Sequence, residues 1–185
     1  MPQRTDDMLM TAYVQGDERA LRVLVERWER PVFAFLVRML GSHEEAQDIC
    51  QDTFLKLVET APRYRAEGKF RSWLFRIAGN GARNRLRRRK VLRWLTLDSG
   101  HAEHPHPAAD ALTDLARRED AARVRAALSR LPDRQRQALV LRLDHDLSYQ
   151  EIADAMGASF SSVQMLLHRA VTALRRDVGA EGGTS

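Results

Sequence analysis

The stretch from Ser148 to Leu174 constrains this chain more than any other, because it encodes two short helices meeting at a tight turn. Ser148 followed three residues later by Glu151 is a capping box. The hydroxyl takes up a free backbone amide and the carboxylate reaches back to the cap, so a helix begins at Tyr149. Ile152, Ala153 and Met156 share one face of it, and Gly157 can adopt the left-handed conformation that ends a helix. Ser159 caps the next helix, in which Val163, Leu167, Ala170 and Leu174 recur at helical spacing. The small Ala153 at the crossing and Gly157 in the turn let the two axes approach closely, as helix-turn-helix geometry requires. An ordinary helical hairpin satisfies the same pattern. The opposite face of the second helix then presents Ser161, Ser162, Gln164, Met165, His168 and Arg169.

The preceding residues read as further helices. Asp6 or Asp7 caps a short helix that ends at Gly16, and Asp17 caps a longer one with Leu21, Leu24, Val25 and Trp28 as its apolar stripe. Pro31 removes an amide donor and is expected to bend that helix, after which Val32, Phe33, Leu36 and Leu40 continue the stripe. Ser42 and Glu45 form a second capping box, opening a helix to about Thr60 with Ala46, Ile49, Cys50, Thr53 and Leu57 on one side. Its polar residues include Asp48, Gln51 and Asp52, which suit either a solvated face or a dock for a basic partner. Pro62 and Gly68 bracket a break that holds Arg63, Tyr64, Arg65 and Lys69.

Charge narrows the function. Residues 1–95 carry 19 Lys and Arg against 12 Asp and Glu, whereas residues 96–120 carry 2 against 6. The helix expected from Phe70 holds Arg76, Arg83, Arg85, Arg87, Arg88, Arg89, Lys90 and Arg93 with no acid before Leu97. Like charges one turn apart repel, so this run suits a polyanion, nucleic acid first, with an anionic protein or membrane surface, or a solvated helix without a partner, as the other readings. Gly79 and Gly81 weaken the same helix by roughly 1 kcal/mol each, so packing must hold it.

Residues 96–111 read as a flexible acidic linker, whose His101, His104 and His106 lack the cysteine pattern of a zinc site. Beyond it come a helix from Ala111 to Leu128, one from Pro132 or Asp133 with Ala138, Leu139, Leu141 and Leu143 apolar and Arg134, Arg136 and Arg142 basic, and a disordered tail from Gly179. The fold class is all-α. Two small helical domains, 5–95 and 112–178, flank the linker.

Catalytic signatures are missing: no phosphate-binding glycine loop with its lysine, no zinc-protease motif, no nucleophile elbow. Cys50, the one cysteine, excludes a disulfide framework and reads as a core residue in a cytoplasmic protein. No signal peptide or apolar span of about eighteen residues suggests membrane insertion. No catalytic residue, metal site or cofactor is therefore assigned.

EEAQDICQDTFLKL at 44–57, FRSWLFRIAGNGARNRLRRRK at 70–90 and LPDRQRQALVLRLDHDLSYQEIADAMGASFSSVQMLLHRAVTALR at 131–175 together resemble the extracytoplasmic-function, or group 4, sigma factors of bacterial RNA polymerase. The resemblance implies a sigma-2-like and a sigma-4-like domain. It implies that core polymerase (beta-prime clamp helices and beta flap) and promoter DNA are partners, with an anti-sigma factor as a further one. Asp48, Gln51, Asp52 and Phe54 match the surface that docks on the clamp helices. The loop with Arg63, Tyr64, Arg65 and Lys69 matches the element that captures a flipped base, and Asn80, Arg83, Asn84, Arg87 and Arg88 match the −10 contact region. Ser161, Ser162, Gln164, Met165, His168 and Arg169 match the −35 reading helix.

Two departures stand out. Asn84 sits where the family often has Asp, and Gln164, Met165 and Leu166 replace the family's Lys-Ser-Arg. Loss of that lysine and arginine should lower the salt slope of DNA binding by about two if no neighbour compensates. A stand-alone helix-turn-helix regulator, or a regulatory protein that occupies polymerase without initiating, would use similar helices.

Overall fold

The computed structural model describes residues 4–96 and 115–181, and among them it contains helices and no strand. The order is α1 (Asp6–Val14), α2 (Glu18–Leu40), α3 (His43–Thr60), a short 3-10 turn (Ala61–Arg63), α4 (Phe70–Thr96), α5 (Leu115–Arg130), α6 (Asp133–Leu143), α7 (Tyr149–Met156) and α8 (Phe160–Glu181). The all-α expectation holds. Nearly all of the segment read as linker, with its three histidines, lies outside the described residues, as does the tail from 182.

In the N-terminal lobe α2 packs on α1, α3 and α4, and α3 packs on α4. The centre is aromatic: Phe35, Phe70 and Phe75 are fully buried, with Phe35 meeting Phe75 edge-on at 5.3 Å and Trp28 meeting Phe75 at 6.0 Å. Such tilted contacts bring the positive ring edge to the negative face. Pro31 does not break α2, which runs unbroken to Leu40. Val32, Phe35, Leu36 and Met39 beyond it are all buried, and that burial holds the helix across the missing amide. Phe33, expected in the stripe, is only partly buried, and Phe35 takes its place.

In the C-terminal lobe α6 packs on α8, and α7 on both. Leu143, expected among the apolar residues, is 65% exposed, while Arg136, one of the basic residues of this helix, is buried. α8 continues to Glu181, past the Gly179 at which the sequence suggested disorder. The two lobes also pack directly on one another, α7 lying against α4 and α6 against α2.

Candidate nucleic-acid interface

The helix-turn-helix forms as its caps dictate. Ser148 Oγ accepts from the Glu151 amide at 3.2 Å, and Glu151 Oε2 accepts from the Ser148 amide at 2.8 Å. Burial pushes the Glu151 carboxyl up, but the two Ser148 hydrogen bonds and Arg71 outweigh it and leave the group below its usual range. Gly157 turns the chain at φ +57, and Ser159 Oγ accepts from the Ser162 amide at 3.2 Å to start α8. Val163, Leu167 and Ala170 are buried beneath α8, which leaves Ser161, Ser162, Gln164, Met165, His168 and Arg169 exposed on one face. Met165, 54% exposed, is an apolar group on that otherwise polar face.

On α4 the basic run divides into two sets. Arg85 pairs with Asp48 at 3.2 Å, Arg89 with Glu45, Lys90 with Asp133 at 2.8 Å, and Arg71 with Glu151 at 3.7 Å. Glu45 is thereby drawn away from its expected capping role: Ser42 accepts from the Glu45 amide at 3.3 Å, but the Glu45 carboxylate binds Arg89. No acid among the described residues pairs with Arg76, Arg83, Arg87 or Arg88. Arg87 donates to Asn84 at 2.6 Å, and Arg83 donates to Asn80 and Gln137. Partial burial, then the charges of Arg134, Arg76 and Arg87, hold the Arg83 guanidinium below its ordinary pKa. An anion placed here relieves that repulsion.

Arg63, Arg65 and Lys69 are exposed on the loop before α4, while Tyr64 is half-buried. Its hydroxyl donates to Asp7 Oδ1 at 2.6 Å, and its ring lies 4.8 Å from Trp73. Burial and then the Asp7 hydrogen bond push the phenol far up, so it stays protonated. Asp7 also accepts from the Gly68 amide at 3.0 Å, and thus anchors the loop at two points. Sequence reasoning placed Asp7 only as a possible cap. Thr5 fills that role, accepting from the Met8 amide at 3.3 Å.

Asp48, Gln51 and Asp52 are exposed along α3, with Phe54 half-buried beside them. A groove of about 680 Å³ runs along the surface where α3 packs on α4, with Asp52, Lys56, Trp73, Arg76, Asn80 and Asn84 among its walls. Gly81 explains why the two helices come so close: a Cβ there would fall 2.8 Å from Ile49. Burial and then Glu29 push the Cys50 thiol up to about 11, which suits a packing residue and not a nucleophile. No group of residues able to hold a metal occurs among those described.

Comparison with known proteins gives a consistent result. Residues 24–91 match Sigma-70 region 2, and residues 121–174 match Sigma-70, region 4. The RNA polymerase sigma-H factor of Pseudomonas aeruginosa is 31% identical, over 94% of each chain. The ECF RNA polymerase sigma factor SigW of Bacillus subtilis is 28% identical, over 89% of this chain and 91% of its own. Among solved structures, CnrH in complex with the cytosolic domain of CnrY aligns over 95% of this chain and 97% of its own, with a TM-score of 0.73 and 26% identity.

Proposed function

This chain belongs to the extracytoplasmic-function sigma factors of the sigma-70 family, and from that premise we propose which surface of it performs each step of promoter recognition. As an RNA polymerase sigma factor it binds core polymerase and promoter DNA. Asp48, Gln51, Asp52 and Phe54 on α3 form the dock for the beta-prime clamp helices; Gln51 and Asp52 are exposed there, with Asp48 exposed beside them though paired with Arg85, and the carboxylates suit a basic partner. The C-terminal lobe reaches the beta flap and reads the −35 element with Ser161, Ser162, Gln164, Met165, His168 and Arg169, whose exposure supports that role. Asn80, Arg83, Asn84, Arg87 and Arg88 contact the −10 element, and the loop of Arg63, Tyr64, Arg65 and Lys69 holds the first unpaired base. That unpairing costs a few kcal/mol, which contacts made only in the open complex offset.

The observation that carries this reading is the division of the α4 arginines. Arg71, Arg85 and Arg89 are paired with acids of α7 and α3, whereas no acid among the described residues pairs with Arg76, Arg83, Arg87 or Arg88, of which Arg83 donates to Asn80 and Gln137 and Arg87 to Asn84. A merely structural helix would neutralise both sets. The chain's part is recognition, and RNA synthesis belongs to the core enzyme; we infer the cytoplasm as its compartment because its partner enzyme and promoter DNA are found there. No helix among the described residues is long and apolar enough to cross a membrane. The solved relatives in complex with CnrY and with the anti-sigma factor NepR make an anti-sigma factor a reasonable partner here as well. Replacing Arg87 and Arg88 with alanine should reduce open-complex formation, read by permanganate footprinting, at least tenfold while core binding changes less than twofold. Equal loss of both would overturn the assignment.

A further inference from the structure

We propose that Asp7, on the first helix, is the positioning residue of the loop before α4. Its carboxylate holds the arch of residues 64–68 in the shape that receives an unpaired base, and Tyr64 serves that arch as a tether, not as a platform on which the base stacks. The inference deepens the reading of this loop as the base-capturing element and rests on it.

The arch leaves the 3-10 turn at Tyr64, and α4 begins at Phe70. Its two feet meet on one atom: Asp7 Oδ1 accepts from the Tyr64 hydroxyl at 2.6 Å and from the Gly68 amide at 3.0 Å. Gly68 turns the chain at φ +72, a left-handed conformation that costs glycine little, and in it the amide faces Asp7. Between the feet Arg65, Ala66 and Glu67 stand exposed, with the Glu67 amide donating to the Arg65 carbonyl at 2.9 Å. The Tyr64 ring lies 4.8 Å from Trp73 and 6.0 Å from the buried Phe70, so its body and its hydroxyl are both engaged within the protein. The post is itself fixed. Leu9 and Met10 are buried on α1, and Arg27 of α2 donates to the Asp6 carboxylate and, at 3.3 Å, to the Arg4 carbonyl.

Charge and placement separate positioning from simple support. Arg63, Arg65 and Lys69 are exposed on the loop, and a half-buried carboxylate close to them opposes an anionic ligand. Asp7 therefore works against DNA binding through its charge, and its contribution to that binding is the shape it imposes. Its two bonds also bridge 57 and 61 positions of sequence and end on the feet of the arch, which leaves the crest open to a ligand. A loop ordered in this way before the base arrives loses less conformational entropy on binding, and a fixed crest discriminates among bases better than one that adapts to each.

The test uses the full chain with core polymerase and a promoter selected from a randomised library, made with each base in turn at the first unpaired position. Open complex formed on the preferred base, divided by the mean for the others, measures discrimination. Asp7→Ala should reduce that ratio at least about fourfold, although loss of an anion would by charge alone strengthen DNA binding. Asp7→Asn keeps an oxygen acceptor in place and should hold the ratio within about twofold of the unaltered protein. Tyr64→Phe should lower the ratio partway, and adding it to Asp7→Ala should lower it no further, because the hydroxyl has already lost its partner. In the free protein, hydrogen exchange at the Gly68 amide should be about tenfold faster in Asp7→Ala. An unchanged ratio or unchanged Gly68 exchange in Asp7→Ala, or a loss that Asp7→Asn shares in full, overturns the inference. So does an equal fall on every base in step with a lowered urea midpoint, which is the mark of a purely structural role. Arg63→Ala with Arg65→Ala and Lys69→Ala separates this inference from the reading beneath it. If that triple variant leaves open-complex formation intact, the loop does not capture the base and the inference falls with that reading; an effect there beside none in Asp7→Ala overturns the role of Asp7 alone.

Discussion

At the scale of the residue, Arg136 and His145 carry more of the molecule than their sequence positions advertise. Arg136 stands among the basic residues of α6 and reads as one of them, but it is buried and satisfies three backbone carbonyls, one of them on α2. No local pattern reveals a side chain whose partner is the carbonyl of Met39, because that partner is set by how the lobes meet. Arg136→Ala should lower unfolding free energy by about 2–4 kcal/mol, measured by urea denaturation, since it strands buried carbonyls. His145 is held neutral: burial lowers its pKa, with Asp144 and Asp146 opposing and Arg71 reinforcing, and Arg38 pairs with Asp144 beside it. The folded pKa lies below the ordinary 6.5, so the stability this favours is present above that value and is lost as pH falls below it. The urea midpoint of the unaltered protein should therefore drop more steeply between pH 6.5 and 5 than that of His145→Phe. Identical slopes would remove His145 from the pH response.

At the scale of the element, the helix-turn-helix was legible because its information is local: Ser148, Glu151, Gly157 and Ser159 specify two caps and a turn whatever surrounds them. The second capping box, at Ser42, formed by half. Glu45 found a stronger partner in Arg89, forty-four residues away, and a charged pair outcompetes a neutral amide for a carboxylate. Gly79 and Gly81 looked like weaknesses in α4, and their reason is packing on both sides, against Gln137 and Ile49. Gly81→Val should drive α3 from α4 and destabilise the protein by about 1–3 kcal/mol in thermal or urea unfolding. The basic run of α4 was visible in the sequence, but which of its cations are paired depends on acids of α3, α6 and α7 that the run itself does not show. On α8, Gln164 is exposed on the face with Ser161, Met165 and His168. Gln164→Lys should steepen the salt dependence of duplex DNA binding by about one unit in log–log slope.

At the scale of the whole molecule, the two helical lobes could be read directly, since composition, caps and three motif blocks each point the same way. Their packing on one another could not. The seam joins residues such as Met39 and Arg136, separated by 97 positions, through side chains that read as solvent-facing. Promoter recognition by both lobes acting together on core polymerase is the central claim, and transcription by purified core over a randomised promoter library measures it most directly. With this protein added, transcripts should arise from templates sharing two sequence blocks at a fixed separation, one upstream block and one at the melted region. A start-site distribution no different from that of core polymerase alone would contradict it.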